Sequence, residues 1–463
     1  MIRLFRVAVP TSIFVLLLSE FVLLTFCYVL ATYLFLQVDP TVFLLYDGGM
    51  LRITGVVLST MFGLHFLDLY AGISTVSKIG LILEIGQALG FSFLVQALVA
   101  YIDKEWMLPR WVMIWGSGFA LLSLAAWRLI YGVVFARSIG ASRVLFLGTN
   151  PVVQEIAEYL MKHPEAGLVN LGYLDDDGES GAALYGSKVL GCVRDLRAVV
   201  AATRPDRIVV GMTERRARTP LQDLLDLRFS GIQIEEAGTT YESVCTRVCT
   251  KELRPAQLIF SGELGPTPSA VLLQSMYSPA IALVGTVLTL PIMVLAGIAV
   301  RLNSRGPILY RQERIGLNGA PFTLYKFRSM YADAEAKTGA VWASKDDPRV
   351  TPVGRWLRKL RIDELPQLWN VLRGEMAVVG PRPERPEFVK VLSEKIPYYR
   401  QRHCLRPGIT GWAQINYRYG ETLEDTIVKL EYDLYYIKHI SASLDLYIIF
   451  HTLKTMLRSR GAQ

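Results

Sequence analysis

The sequence predicts a multi-domain membrane protein in three parts. These are a four-helix transmembrane bundle over residues 1–136, an α/β doubly wound (Rossmann-like) domain over 137–265, and a mainly α domain over 266–463 containing a re-entrant membrane helix at 279–302. Three observations carry that expectation. Four long apolar runs fill the first part, each near the ~20 residues that a bilayer core requires. Strand-like runs then alternate with helical ones. A fifth apolar run, broken by proline, introduces a polar, motif-dense remainder.

Composition agrees. A chain of 463 residues exceeds one core. A hydrophobic content of 52% and a mean hydropathy of +0.32 are high for a soluble protein. The net charge of +8 suits nucleic acid, an anionic membrane surface or phosphorylated substrates. The apolar spans favour the latter two and speak against nucleic acid. Five scattered cysteines do not make a disulfide framework. The one close pair, Cys245 and Cys249, fits packing better than a metal site.

The first apolar run, at about 13–36, follows Arg3 and Arg6 and is too long for a signal peptide. Further runs lie at about 51–72, 79–102 and 111–135. Lys78, Arg137 and Arg143 fall where the positive-inside rule places the N-terminus and everything after residue 136 in the cytoplasm. Glu20, Asp68, Glu84 and Arg128 lie in or near the spans. Paired structural polar groups are the preferred reading there over an ion pathway.

Residues 143–150 read as an apolar strand ending in glycine, and 151–162 as a helix. A helix at 194–202, a strand at 206–211, a helix at 219–229 and a strand at 231–235 continue the doubly wound pattern. The turn Gly148-Thr149-Asn150-Pro151 keeps one glycine of the dinucleotide fingerprint, so no bound dinucleotide is expected. The run Asp175-Asp176-Asp177 reads as an exposed turn rather than a metal-binding Asp-x-Asp.

Residues 279–300 form the fifth apolar run, with Pro291 near its middle and Arg301 and Arg305 directly after it. A straight crossing would put the remainder of the chain outside. A kink at Pro291 lets the helix enter and leave by one face, and the two arginines then meet the phosphate-rich interface.

Beyond residue 302 the motifs crowd together. Asp363-Glu364 precedes Leu365-Pro366, a pattern that fits a loop turning into a helix, where an acid is also a common cap. The surrounding bases, Lys326, Arg328, Arg349, Arg355, Arg358, Lys359, Arg361, Arg373 and Arg382, point instead to a bound polyanion and a divalent metal. The last stretch, about 424–458, reads as helical, with Tyr432, Tyr435, Tyr436 and Tyr447 among Lys429, Lys438, Lys454 and Arg458. That composition fits a membrane interface or an amphipathic packing helix equally.

These motifs, with Lys326-Phe-Arg328-Ser-Met330, Gly380-Pro-Arg382-Pro383 and Arg406-Pro-Gly408-Ile-Thr-Gly411-Trp412, resemble the bacterial polyprenyl-phosphate phosphoglycosyl transferases. Their large multi-span members initiate exopolysaccharide or O-antigen synthesis. The motif resemblance covers about 275–463, and the upstream order of domains is also that of the large members. It implies transfer of a sugar 1-phosphate from a UDP-sugar to undecaprenyl phosphate with release of UMP. It further implies an inner (cytoplasmic) membrane location with the catalytic domain cytoplasmic, Mg²⁺ as cofactor and a homodimer. Residue by residue, Asp363 matches the nucleophile and Glu364 the neighbouring acid that holds Mg²⁺. Lys326, Arg328, Arg358 and Arg382 match basic substrate-binding positions, and Pro291 matches the helix break. The family often has Ser-Pro at that break, where this chain has Leu290-Pro291.

Elementary chemistry supports the resemblance. Attack by a carboxylate on a phosphoanhydride requires cations that neutralise the phosphoryl oxygens as charge moves to the leaving group. Two other readings compete. A nucleotide-sugar dehydratase or epimerase would need a Tyr-x-x-x-Lys pair and an intact glycine fingerprint, and a ligand-sensing membrane scaffold would make the dyad dispensable.

Overall fold

The computed structural model describes residues 2–4, 7–9, 11–67, 69–70, 78–134, 142–163, 166–175, 183–184, 186–212, 220–253, 265–331, 347, 349–417 and 422–457. Asp68, Arg137, Asp176, Asp177 and Arg458 lie outside these residues. The chain divides into two compact units at Ala237/Gly238.

In the first unit, long apolar helices span Thr11–Phe35, Gly49–Phe66, Lys78–Ile102 and Arg110–Val134. All four contain stretches long and apolar enough to cross a membrane. The first helix is inside out by the standard of a soluble protein. Leu18, Val22, Phe26, Leu30 and Leu34 form an exposed stripe, while Glu20 is completely buried. Arg128 Nε donates to Glu20 Oε1 at 2.5 Å and Nη2 donates to Oε2 at 3.0 Å. The Tyr70 hydroxyl donates to the same Oε2 at 2.5 Å, and Arg128 Nη1 reaches the Leu69 carbonyl at 2.9 Å. Glu20 and Arg128 are thus paired structural groups, as hydrocarbon surroundings demand. Glu84 is half-buried.

The α/β part carries a six-stranded sheet in the order Ala183–Leu184, Ser187–Gly191, Leu168–Leu174, Ser142–Leu147, Arg207–Val210, Gln233–Glu236. All neighbours are parallel except the first pair. From the central strand Ser142–Leu147 the chain winds first to one side and later to the other, so its C-terminal end is a switch point. There Gly148 has φ +90°, and a Cβ on it would lie 2.5 Å from the Gly211 carbonyl oxygen. Asn150 accepts from the Val153 amide at 2.9 Å and Pro151 opens the helix Pro151–Lys162. Asp175, expected in an exposed turn, is half-buried and accepts a hydrogen bond from the Thr149 hydroxyl.

The second unit is built on one 36-residue helix, Pro268–Asn303. The expected helix–break–helix at 279–302 is not an interruption of helical structure: the helix is continuous through Pro279 and Pro291. Each proline removes one backbone donor without ending the helix. Both ends of this helix pack on the same body. Near its start, Gln274 Nε2 donates to the Val379 carbonyl at 3.1 Å. Near its end, Ala296 and Val300 pack with Phe327 and Leu357. Between them Leu283, Val284, Val287, Leu288 and Leu295 remain exposed.

Around the helix lie an antiparallel hairpin, Leu309–Ile315 with Pro321–Phe327, and a parallel pair, Ala377–Val379 with Gly408–Thr410. The C-terminal stretch forms two packing helices, Leu423–His439 and Ala442–Leu457. Tyr435 and Tyr436 are buried in it, with Tyr435 stacked on Trp412. Residues 238–252 belong to this unit rather than to the α/β domain, where the sequence places them. The reason is the buried carboxylate of Glu431. It accepts from the Tyr241 hydroxyl at 3.0 Å and from the Thr250 hydroxyl and amide at 2.8 and 3.2 Å.

Candidate active site

Asp363 and Glu364 lie in a single 3-10 turn, Ile362–Glu364, between the helices Pro352–Lys359 and Gln367–Leu372. Arg361, just before the turn, has φ +56°, a conformation that non-glycine residues rarely adopt. The reversal there turns both acids inward, to 8% and 9% exposure. Asn370, fully buried, holds the following helix against the hairpin. It accepts from the Tyr325 amide at 3.1 Å and donates to the Thr323 carbonyl at 2.7 Å. That bracket sets Lys326, the next residue of the strand, beside the dyad.

Three cations meet Glu364. Lys326 Nζ and Arg382 Nη2 donate to Oε1 at 3.2 and 2.9 Å, and Arg361 Nη1 lies 3.6 Å from Oε2. Arg382 arrives on the loop after the strand Ala377–Val379. Its Gly380 is forced by close approach, since a Cβ there would lie 2.4 Å from the Arg406 carbonyl oxygen. The loop is held from behind by Arg314 Nη1, which donates to the Pro383 carbonyl at 3.0 Å, and by Arg402 Nη2, which donates to the Arg382 carbonyl at 3.0 Å. Arg402 is itself clamped by Asp433, at 3.0 Å from Nε and 2.7 Å from Nη2.

The two carboxyls have opposite electrostatics. Burial pushes Glu364 up, but the charges of Arg382, Lys326 and Arg361 outweigh it and hold this carboxylate well below its usual range. Asp363 is pushed up to about 6, first by burial and then by the charge of Glu364, with Lys326, Arg358 and Arg361 opposing. Its Oδ1 is buried and has no hydrogen-bond partner among the described residues. Such an atom is costly unless a ligand completes it.

Of the bases the sequence singles out, Lys326, Arg361 and Arg382 touch the dyad. Arg358 is near enough to act on Asp363 while its Nε donates to the Ser329 hydroxyl at 2.9 Å. Arg328 does not join them. Its guanidinium donates to the Ser304 and Arg305 carbonyls at 2.7 and 2.8 Å, closing the end of the long helix. Asn370, Arg402 and Asp433 escape the sequence reading because the partners that tie them to the site, Thr323, Asp433 and the Arg382 carbonyl, lie 20 to 47 residues away.

Among the described residues no group of three or more His, Cys, Asp or Glu could cage a metal ion. Two adjacent carboxylates, one with an orphaned oxygen, fit Mg²⁺, which takes one or two carboxylates and fills its octahedron with substrate phosphate oxygens and water.

The family model for bacterial sugar transferases matches residues 270–459. Several relatives are similar to the chain, three of which show the range. The UDP-N-acetylgalactosamine-undecaprenyl-phosphate N-acetylgalactosaminephosphotransferase of Aeromonas hydrophila is 39% identical over 59% of this chain and 62% of its own length. The undecaprenyl-phosphate glucose phosphotransferase of Komagataeibacter xylinus is 49% identical over 37% of this chain and 33% of its own. The UDP-glucose:undecaprenyl-phosphate glucose-1-phosphate transferase of Klebsiella pneumoniae is 34% identical over 69% of both chains. The chain therefore spans less than two thirds of the first two relatives.

Proposed function

The chain belongs to the bacterial sugar transferase family, and from that premise we propose that it transfers a sugar 1-phosphate from a UDP-sugar to undecaprenyl phosphate, releasing UMP. The observation that carries the proposal is the unpartnered, buried Oδ1 of Asp363 beside a carboxylate that gathers three cations. Asp363 is the nucleophile. Its carboxylate attacks the phosphorus that bears the sugar, an acyl phosphate bond forms, and the anhydride bond to UMP breaks with its electron pair leaving on UMP. An oxygen of the lipid phosphate then attacks the same phosphorus and restores the free carboxylate. Lys326, Arg358 and Arg382 neutralise the phosphoryl oxygens during both steps. Glu364 and Asp363 would hold Mg²⁺, which when bound supplies positive charge to the diphosphate.

Topology supports the same reading. A straight helix of 36 residues measures roughly 54 Å, longer than a bilayer core is thick. Both of its ends pack on one body, so a straight crossing would drag that body through the membrane. We read residues 279–302 as re-entrant, bending at Pro291, with the catalytic part and the α/β domain on the cytoplasmic side of the inner membrane. The four N-terminal helices form the multi-pass anchor. Single cysteines at Ser275 and Ser304, in a variant without native cysteines, test this. A membrane-impermeant reagent applied to intact cells should label neither, and labelling of Ser304 alone would establish a true crossing.

The relatives' names divide between N-acetylgalactosamine and glucose. The activity is tested with purified protein, undecaprenyl phosphate and a panel of UDP-sugars, following UMP. Release with one sugar and dependence on the lipid are expected; no release with any sugar would remove the proposal.

A further inference from the structure

A cavity of about 230 Å³ lies on the second unit away from the dyad. It is lined by Ser275, Ser278 and Pro279 of the long helix, by Gly374 and Ala377, and by Arg406. Neither Asp363 nor Glu364, nor any of the three cations that meet Glu364, lines it. The cavity is therefore not the pocket of Asp363.

Its chemistry is that of an anion site. Arg406 is half-buried, and its guanidinium makes no hydrogen bond or ion pair among the described residues. No acidic residue lines the cavity. The guanidinium fork is thus open to a ligand arriving from outside, and its planar donor geometry matches phosphate oxygens. Ser278, only 2% exposed, accepts from the Val378 amide at 3.4 Å and keeps its own proton to donate. The Arg406 backbone is fixed by the close approach of Gly380 and Gly408 across the parallel strand pair, so the guanidinium projects from a rigid base.

Its position identifies the source of the anion. The turns of helix beside the cavity expose Leu272, Leu273 and Met276, at 65%, 49% and 68%. These precede the apolar stretch that begins at Pro279, so the cavity lies where the helix meets the membrane surface. A phospholipid there would set its phosphate against Arg406 and run its acyl chains along the apolar stretch beyond Pro279, where Leu283, Val284 and Val287 are exposed. With no carboxylate to receive an ammonium group, the cavity disfavours zwitterionic headgroups.

We propose that this cavity binds the phosphate of an anionic bilayer phospholipid and fixes the depth of the long helix. The proposal needs the membrane setting but not the transferase reading, because lipid retention is measured without turnover.

The test uses full-length protein reconstituted in bilayers of phosphatidylglycerol and phosphatidylcholine, extracted in mild detergent and weighed by native mass spectrometry. Wild type and Arg406→Lys should retain phosphatidylglycerol over phosphatidylcholine, whereas Arg406→Gln should retain it about tenfold less, the scale of one lost charge-assisted hydrogen bond. Ser275→Trp, which fills the cavity and leaves Arg406 intact, should lose the lipid as well. Equal retention by wild type, Arg406→Gln and Ser275→Trp overturns the proposal. So does displacement of the lipid by inorganic phosphate or by undecaprenyl phosphate at equimolar amounts, which would assign the cavity to a soluble anion or to the second substrate.

Discussion

Arg382 Nη2 donates to Glu364 Oε1 over 2.9 Å, joining the Gly-Pro-Arg-Pro loop to the turn that carries the two acids. The contact makes Glu364 the charge that keeps both Arg382 and Lys326 in the site, and it also raises the neighbouring Asp363. Glu364→Gln should therefore do two things. Transfer should fall by about a hundredfold, as for loss of one preorganised electrostatic group. The acid limb of the remaining activity should move down by about one pH unit, since a like charge beside Asp363 is gone. Steady-state rates across pH check both.

In the wild type the acid limb itself is predicted. As the proposed nucleophile, Asp363 must be ionised to attack, and burial with the charge of Glu364 pushes it up to about 6, above an ordinary aspartate. Below this value the carboxyl is protonated and inert; above it the carboxylate is present. The kcat/KM for the UDP-sugar should fall about tenfold per unit below pH 6 and level off above it. A limb near pH 4 would mean that the surrounding cations, with the Mg²⁺ these two carboxylates would hold, outweigh burial at Asp363.

Arg402, paired with Asp433, reaches the dyad through the Arg382 loop. Arg402→Gln leaves the Asp433 carboxylate buried without its partner and should cost about 3 kcal/mol of stability. The double change Arg402→Met/Asp433→Leu removes both charges and should restore the thermal midpoint. It should not restore kcat, because the Arg382 carbonyl still lacks its donor. Recovery of kcat together with stability would show that the pair is structural alone.

The membrane part carries its own test. Glu20→Met or Arg128→Met singly strands a charge among apolar helices and should destabilise the protein by about 3 kcal/mol in detergent. The double substitution should recover most of that loss, as read by thermal unfolding.

Local chemistry makes much of this molecule legible in advance. The helix Pro151–Lys162 has the bounds its sequence predicts, because Asn150 and Pro151 are an N-cap and a first-turn proline. The strands Leu168–Leu174 and Ser187–Gly191 escape a sequence reading, since Asn170, Gly172 and Lys188 interrupt the apolar pattern that marks a buried strand. In sequence Arg328 resembles Lys326, two residues away on the same segment. Only the folded chain shows that one faces the dyad and the other caps the helix. Residues 238–252 carry no boundary signal because their partner, Glu431, lies 181 to 190 residues downstream.

The central claim is that Asp363 forms a covalent bond to the phosphosugar. Purified protein incubated with its UDP-sugar and Mg²⁺, without lipid acceptor, should gain the mass of one sugar phosphate. Peptide mapping should place it on Asp363, and Asp363→Asn should show neither adduct nor transfer. An adduct on Glu364, or an Asp363→Asn variant with near-normal turnover, would contradict the account.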